Sequence, residues 1–424
     1  MDSQLLVILA LAAAAGIAMT SLRYGYRRFR KGRAGRLVSR AKMLSDLGAH
    51  EAAERLLGTA LRLRPDSFEG WNLMGWTLLR LGRHDRAAGV FAEAIRLDAT
   101  RDSAWLGKAS ALRRLNQNEA SMSALEETLR RNPLQTAAWH EKGVAHLEDS
   151  RFEEAIAAWE AALKIDPGDV TAWNFLADAH YLSARFDEAA NAYEKASQLA
   201  PENANLWRCK GHALAALQQA DGALGCYEWA LVLGGDDAAT WYNKGNALLQ
   251  LDRKREALEA FDRSLGLDSD LYQAWNNRGN ALSSLGRDGE AVRSYEKALA
   301  LCPDYFKALH NVGLSLFKLR RFAEARGRLQ ELLSRHPDEH ESWYALSRTM
   351  SALGEREEML FGLARALEKC PDLADAARQD QVFHEWGSDP DFRRLVRLAQ
   401  PGHRPPSPPG DDEFLSDGEN FGSD

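Results

Sequence analysis

An all-α solenoid of stacked helical hairpins is the fold class predicted by this sequence of 424 residues, on three observations. Eight tryptophans, Trp71, Trp105, Trp139, Trp173, Trp207, Trp241, Trp275 and Trp343, stand at multiples of 34 residues from one another. The columns around them repeat at the same period. Four residues after the Trp position comes a small side chain (Gly75, Ala109, Gly143, Ala177, Gly211, Gly245, Gly279, Gly313, Ser347). Sixteen after it comes Ala87, Ser121, Ala155 or a counterpart, and twenty after it a bulky residue (Phe91, Leu125, Trp159, Tyr193, Tyr227, Phe261, Tyr295, Leu329, Leu363). Within each half of the unit, apolar residues recur at i, i+3, i+4 and i+7, the stripe of an amphipathic helix. A unit that cannot bury its apolar face alone stacks on its neighbours, and a fixed period of this length marks such an array.

Along the chain, residues 1–4 form a short leader to an uncharged stretch, 5–22, of 18 residues. As a helix it spans roughly 27 Å, near the lower limit for crossing a bilayer. The following segment, 23–33, carries Arg23, Arg27, Arg28, Arg30, Lys31 and Arg33 with Tyr24, Tyr26 and Phe29 between them, and no acid. Cationic flanks stay cytoplasmic, so the expected topology is single-pass, with the N-terminus outside and everything after the span inside. A cleaved secretory signal is the competing reading. Such a signal places its positive charge before the apolar segment, whereas here it follows; Ala15-Gly16-Ile17-Ala18 keeps the alternative open. The arginines read more simply as a stop-transfer flank that attracts anionic lipid than as a nucleic-acid patch.

Ten repeats follow, over residues 34–372. The first lacks the Trp but keeps Leu37, Ala41, Ala53, Leu57, Ala60 and Pro65 in the same columns, and the ninth has Leu309 in its place. A closing proline (Pro133, Pro167, Pro201, Pro303, Pro337, Pro371) stops the second helix of many units. Ala99, Gly235 and Ser269 replace it elsewhere, and Ser121, Leu125 and Thr128 depart from the pattern in the third repeat, so irregular turns are expected there. Residues 373–400 read as capping helices, one over roughly 373–384 and a second started by Ser388-Asp389-Pro390. Residues 401–424, rich in Pro, Gly, Ser and acids, bury too little to fold and are expected to be a disordered tail. Its segment 411–421 sets Phe414, Leu415 and Phe421 among acids, a composition suited either to solubility or to docking as a self-ligand.

The spaced pattern of Trp, small, Ala, aromatic, Ala and Pro resembles that of tetratricopeptide repeats, and covers most of the chain. The resemblance implies a right-handed superhelical solenoid whose concave groove, lined by first helices, binds protein or peptide partners. It says little about which ones. Net charge of −7 excludes a global nucleic-acid surface. Cys209, Cys226, Cys302 and Cys370 show no ligand spacing and read as free core thiols. No nucleophile elbow, phosphate loop or zinc motif occurs, so no enzyme activity, metal or cofactor is expected.

Candidate groove residues lie two and five positions after the Trp column. Asn243, Asn277 and Asn311 occupy the first, Asn246 and Asn280 the second, and Asn276 lies beside them. Amides donate and accept, so a row of them can hold an extended backbone without reading its side chains. The row is similar to the asparagine ladder of O-linked N-acetylglucosamine transferases, although no glycosyltransferase domain follows. Asparagine in these columns is equally a packing residue of the repeat. Asn174, Asp178, Arg208 and His212 would extend the groove. Arg208, His212, Asn243, Gln273 and Asn277 hold too few cations for the carboxylate clamp that grips heat-shock chaperone termini. One anchor, a basic flank and a cytoplasmic array look like bacterial lipopolysaccharide-assembly regulators, but the paired CxxC module of those proteins is absent. The expectation is a membrane-tethered scaffold with protein or peptide partners. An exported array in envelope assembly and a subunit of a separate modifying enzyme are the alternatives; homo-oligomers stay open.

Overall fold

The computed structural model describes residues 30–398. The predicted span 5–22, Arg23, Arg27, Arg28 and the tail 401–424 lie outside them. The described residues are helical throughout, without a strand, and divide into two compact units that meet in sequence between Gln218 and Gln219.

The first unit holds α1 (30–46), α2 (His50–Leu63), α3 (Phe68–Arg80), α4 (His84–Leu97), α5 (Asp102–Arg114) and α6 (Asn118–Arg131). It continues with α7 (Thr136–Glu148), α8 (Phe152–Ile165), α9 (Val170–Leu182), α10 (Phe186–Leu199) and α11 (Ala204–Ala216). The second unit holds α12 (Ala220–Gly234), α13 (Ala238–Gln250), α14 (Lys254–Leu267), α15 (Tyr272–Ser284), α16 (Asp288–Leu301) and α17 (Phe306–Lys318). After them come α18 (Phe322–Arg335), α19 (His340–Leu353), α20 (Arg356–Lys369), α21 (Leu373–Gln379), a 3₁₀ turn (Gln381–Trp386) and α22 (Pro390–Leu398). The first helix already includes Arg30, Lys31 and Arg33. Arg30 donates from Nη2 to the Arg62 carbonyl (3.1 Å) at the end of α2, where a cation suits the helix dipole. Residues 30–33 of the basic segment thus belong to the first helix.

Each hairpin is built on the small-to-large pairing of columns four and twenty. A Cβ added to Gly143 would lie 2.5 Å from the Trp159 ring, and one on Gly245 2.6 Å from Phe261. Glycine lets the ring lie against helix backbone, and Phe91, Trp159 and Phe261 are fully buried by it. Where the sequence departs, backbone carbonyls absorb the polarity: Ser121 Oγ donates to Ala109 O and Ser347 Oγ to Met359 O, both at 2.8 Å. Between the two helices of a hairpin, one residue takes the left-handed conformation at the same register in every repeat. It is glycine at Gly48, Gly82, Gly286 and Gly354, but Asn116, Ser150, Ala184, Gln218, Asp252 and Arg320 elsewhere. The next N–H then bonds five residues back, as Arg185 to His180 O (2.8 Å), closing the helix end.

All eight tryptophans of the register are half-buried. Each indole N–H donates to the loop before its own helix, as Trp139 to Pro133 O (3.0 Å). The carbonyl, not the proline ring, is what the indole needs, so Ala99 and Ser269 serve equally (3.1 and 2.9 Å) and their turns stay regular. Gly235 does differ. Its φ of 78° ends a longer α12, and Trp241 bonds Asp236 Oδ1 instead (2.9 Å). A cation three residues on covers the ring and reaches an acid of the preceding helix: Lys244 lies over Trp241 at 5.1 Å and pairs with Glu228 at 3.0 Å.

The cap also departs from expectation. The predicted helix over 373–384 stops at Gln379, because Asp380 accepts from the Val382 N–H (3.1 Å) and starts a 3₁₀ turn. Asp389 caps α22 by accepting from Asp391 and Phe392 N–H, with Pro390 in the first turn. None of the four cysteines is in a disulfide, and of them only Cys226 is fully buried.

Gly143→Ala should lower the unfolding free energy by about 1–3 kcal/mol through overpacking against Trp159. Gly225→Ala, with open space around its Cβ position, should be neutral or stabilising by up to about 1 kcal/mol. Urea unfolding of both variants measures the contrast, and equal effects would exclude the steric account.

Candidate functional site

In the second unit, α13, α15, α17 and α19 bring the predicted asparagines together. Asn277 Nδ2 donates to Asn246 Oδ1 (2.7 Å) and to Tyr242 Oη (3.4 Å). Asn311 Nδ2 donates to Asn276 Oδ1 (3.1 Å) and Asn280 Oδ1 (3.0 Å). Asn276 and Asn280 both donate to Asn277 Oδ1, at 2.9 and 3.4 Å, and Tyr295 Oη donates to Asn280 Oδ1 at 2.9 Å. The row is therefore a closed network and not a set of free amides. Asn276 is the buried member at 2% exposure. Among the described residues, Asn246 Nδ2 and Asn311 Oδ1 remain its unengaged ends, a donor and an acceptor. Asn243 lies on α13, half-buried.

The network borders a cavity of about 350 Å³ walled by Tyr242, Tyr305, Phe306 and His310. Lys307, Glu339 and Glu341 stand at its rim, and none of them forms an ion pair among the described residues. His310 Nδ1 meets Ser342 Oγ at 2.8 Å, and burial pushes its imidazole below the ordinary range. Burial likewise holds the Tyr295 and Tyr305 phenols above theirs. Sequence reasoning missed these walls. Tyr242 and His310 occupy the column one after the Trp position, Phe306 the column three before it and Tyr305 the column four before it, all readable on the same 34-residue register.

The remaining predicted residues lie in the first unit. Asn174 Nδ2 donates to Asp178 Oδ2 (3.4 Å), and Tyr193 Oη donates to the other carboxylate oxygen. Burial raises the Asp178 carboxyl above the usual range, with the Tyr193 bond opposing it. Asn174 Oδ1 is buried without a partner. Tyr193 to Asp178 and Tyr295 to Asn280 use the same two columns, so a hydroxyl in the core column anchors the groove residue fifteen positions earlier in both units. Trp159, whose counterpart there is Val144, has a buried indole N–H with no acceptor. Arg208 donates to Asn205 Oδ1 (2.5 Å), and His212 is half-buried.

The arrangement offers hydrogen bonds, aromatic walls and charges. The family follows from the repeats themselves. Tetratricopeptide repeat models match residues 39–102, 106–170, 140–204 and 313–350, and 238–271 and 272–305, together more than half the chain. The chain belongs to the tetratricopeptide repeat family. No curated protein matches it. Among solved structures, YrrB, described as a TPR protein with an unusual peptide-binding site, is 24% identical over 44% of this chain and 96% of its own, with a TM-score of 0.41. A tetratricopeptide repeat protein from Parabacteroides merdae is 16% identical over 59% of this chain and 99% of its own, at 0.42. MamA from Desulfovibrio magneticus is 23% identical over 40% and 97%, at 0.37. At these scores the likenesses decide nothing further.

Acid should loosen this family member. Burial lowers the imidazoles of His146, His180, His212 and His310. The folded chain keeps them neutral while the unfolded chain protonates them, so their contribution is complete above about pH 6.5 and is lost as pH falls below it. The raised Asp178 acts with opposite sign, in the carboxylate range below that window. Melting temperature should therefore drop between about pH 7 and pH 5.5, and His310→Gln should flatten part of the slope. A melting temperature constant across the window would refute this.

Proposed function

We propose that this tetratricopeptide repeat chain is a non-enzymatic scaffold that holds an extended segment of a partner protein against the first-helix face of its second unit. One observation carries the reading: a closed amide network with a donor at one end and an acceptor at the other, beside an aromatic-walled cavity. A peptide backbone presents acceptors and donors in alternation, which such ends match without reading side chains. The walls then receive a side chain, and Lys307, Glu339 and Glu341 favour a segment carrying both signs of charge. A cavity of about 350 Å³ has room for one or two side chains and not a folded domain.

The scaffold is further proposed to be membrane-tethered through residues 5–22, with the basic flank and the repeats cytoplasmic. The uncharged stretch and the charge asymmetry after it support this. Among the described residues, no helix is long and apolar enough to cross a membrane. Deleting residues 1–22 should move the chain from the membrane pellet to the soluble fraction, and a C-terminal reporter should be active on the cytoplasmic side only. A reporter active outside would favour the exported reading.

Groove binding is tested by capture of an immobilised peptide library with the full chain. Asn277→Ala leaves Asn246, Asn276 and Asn280 short of partners and should cost about 1–3 kcal/mol of stability. It should also weaken capture about tenfold or more. The exposed Glu341→Lys should shift the melting free energy by less than about 0.5 kcal/mol while changing which peptides are retained. Capture that ignores both substitutions would place the ligand elsewhere.

A further inference from the structure

The cap that ends the second unit carries a groove of its own. α21, the 3₁₀ turn and α22 enclose about 610 Å³ lined by Arg378, Arg393, Arg397 and His384, over the rings of Phe383 and Phe392. No carboxylate lines it. Arg378 is paired with Asp375 of its own helix. Arg393 donates from Nε to the Gly387 carbonyl (2.8 Å), and neither Arg393 nor Arg397 forms an ion pair among the described residues. On the neighbouring α20, Arg356 is held by Asp389, Asp391 and Glu357. Of the exposed arginines of α22, Arg393, Arg394 and Arg397, the first and last line the groove. The floor is apolar, Phe383 and Phe392 lying 5.6 Å apart between centroids.

The sequence beyond α22 has the opposite character. From Asp411 onward come Asp411, Asp412, Glu413, Asp417, Glu419 and Asp424, with no cation after Arg404, and Phe414, Leu415 and Phe421 lie among them. Twelve residues, 399–410, separate α22 from this segment, and five of them are proline. At about 3.1 Å per residue such a linker reaches roughly 37 Å. α22 itself is only about 13 Å long, so the groove lies within reach. A tether of this length holds its end at an effective concentration of about 1 mM. Even a contact with a dissociation constant of about 100 μM would then be mostly formed.

We propose that the acidic segment 411–421 docks in the arginine-lined groove of its own cap. The carboxylates of 411–413 meet Arg393 and Arg397, and Phe414 and Leu415 cover the apolar strip between α21 and α22. The self-ligand occupies a surface that otherwise takes acidic peptides with an adjacent aromatic, so such partners compete with the tail. The proposal is independent of the asparagine site, whose loss would leave it standing.

A fluorescent peptide of residues 409–424 tests it by anisotropy, against the full chain and against a chain ending at Gln400. The peptide should bind the shortened chain, weaken about tenfold between low salt and 0.5 M salt, and bind the full chain at least about tenfold more weakly because the tail is already seated. Arg393→Glu with Arg397→Glu should abolish binding with the melting curve unchanged. Should that variant unfold, a peptide with Asp411, Asp412 and Glu413 amidated to Asn, Asn and Gln leaves the protein intact and should lose binding equally. A second peptide, Phe414→Ala with Leu415→Ala, should also lose it. No binding to the shortened chain, equal binding to both chains, or indifference to charge and to the aromatic each overturns the proposal. So does binding of the shortened chain to phosphatidylserine vesicles that the peptide fails to displace, which would make the groove a lipid site.

Discussion

The contact between a ring on one helix and bare backbone on its partner is what the rest of the structure depends on. Phe91, Trp159, Phe261 and Tyr295 each lie where a Cβ on Gly75, Gly143, Gly245 or Gly279 would collide. That contact sets how closely the two helices of a hairpin approach, and hence where the other faces of the first helix stand. Regular spacing of the first helices then brings the one-after and two-after columns of successive repeats into register. Asn277 can reach Asn246, and Asn311 can reach Asn276 and Asn280, only because each hairpin beneath them is closed to the same depth.

Polar groups in this scheme are mainly satisfied by backbone or by a neighbouring column, with the Trp159 indole N–H and Asn174 Oδ1 as exceptions. Ser121 and Ser347 use the facing carbonyl, and the tryptophans use the loop carbonyl before their helix. Tyr193 and Tyr295 turn the core ring into a link between packing and groove, since the ring fills the hairpin while its hydroxyl fixes Asp178 or Asn280. The polar residues of these first helices are therefore not independent of the core. A substitution in the network changes both stability and surface, whereas a rim charge such as Glu341 changes only the surface.

Much of this was legible in the residues alone. The 34-residue register located the hairpins, the repeats without tryptophan, and the asparagines that the structure brings together. It misjudged what has no periodic trace. The tryptophans are half-exposed although an indole is mostly apolar, because each N–H takes an acceptor in the preceding loop, which leaves no mark on the sequence. The left-handed residue between helices is visible at Gly82 or Gly286 but silent at Ala184 and Arg320, where tertiary packing overrides local preference. The predicted helix over 373–384 failed for a local reason, the side chain of Asp380 capturing a nearby N–H.

The sequence by itself determined the helical hairpin, its period and the family, because each rests on contacts repeated at short range, where spacing along the chain is spacing in space. It also singled out asparagines that the structure brings together on α13, α15 and α17. Only the tertiary structure decided what those residues do. Amides that read as a row of free donors and acceptors became a closed network, because their mutual distances across repeats depend on how deeply each hairpin packs. The same packing set Arg393 and Arg397 around an apolar floor at the cap, a juxtaposition of separate elements that no periodicity encodes.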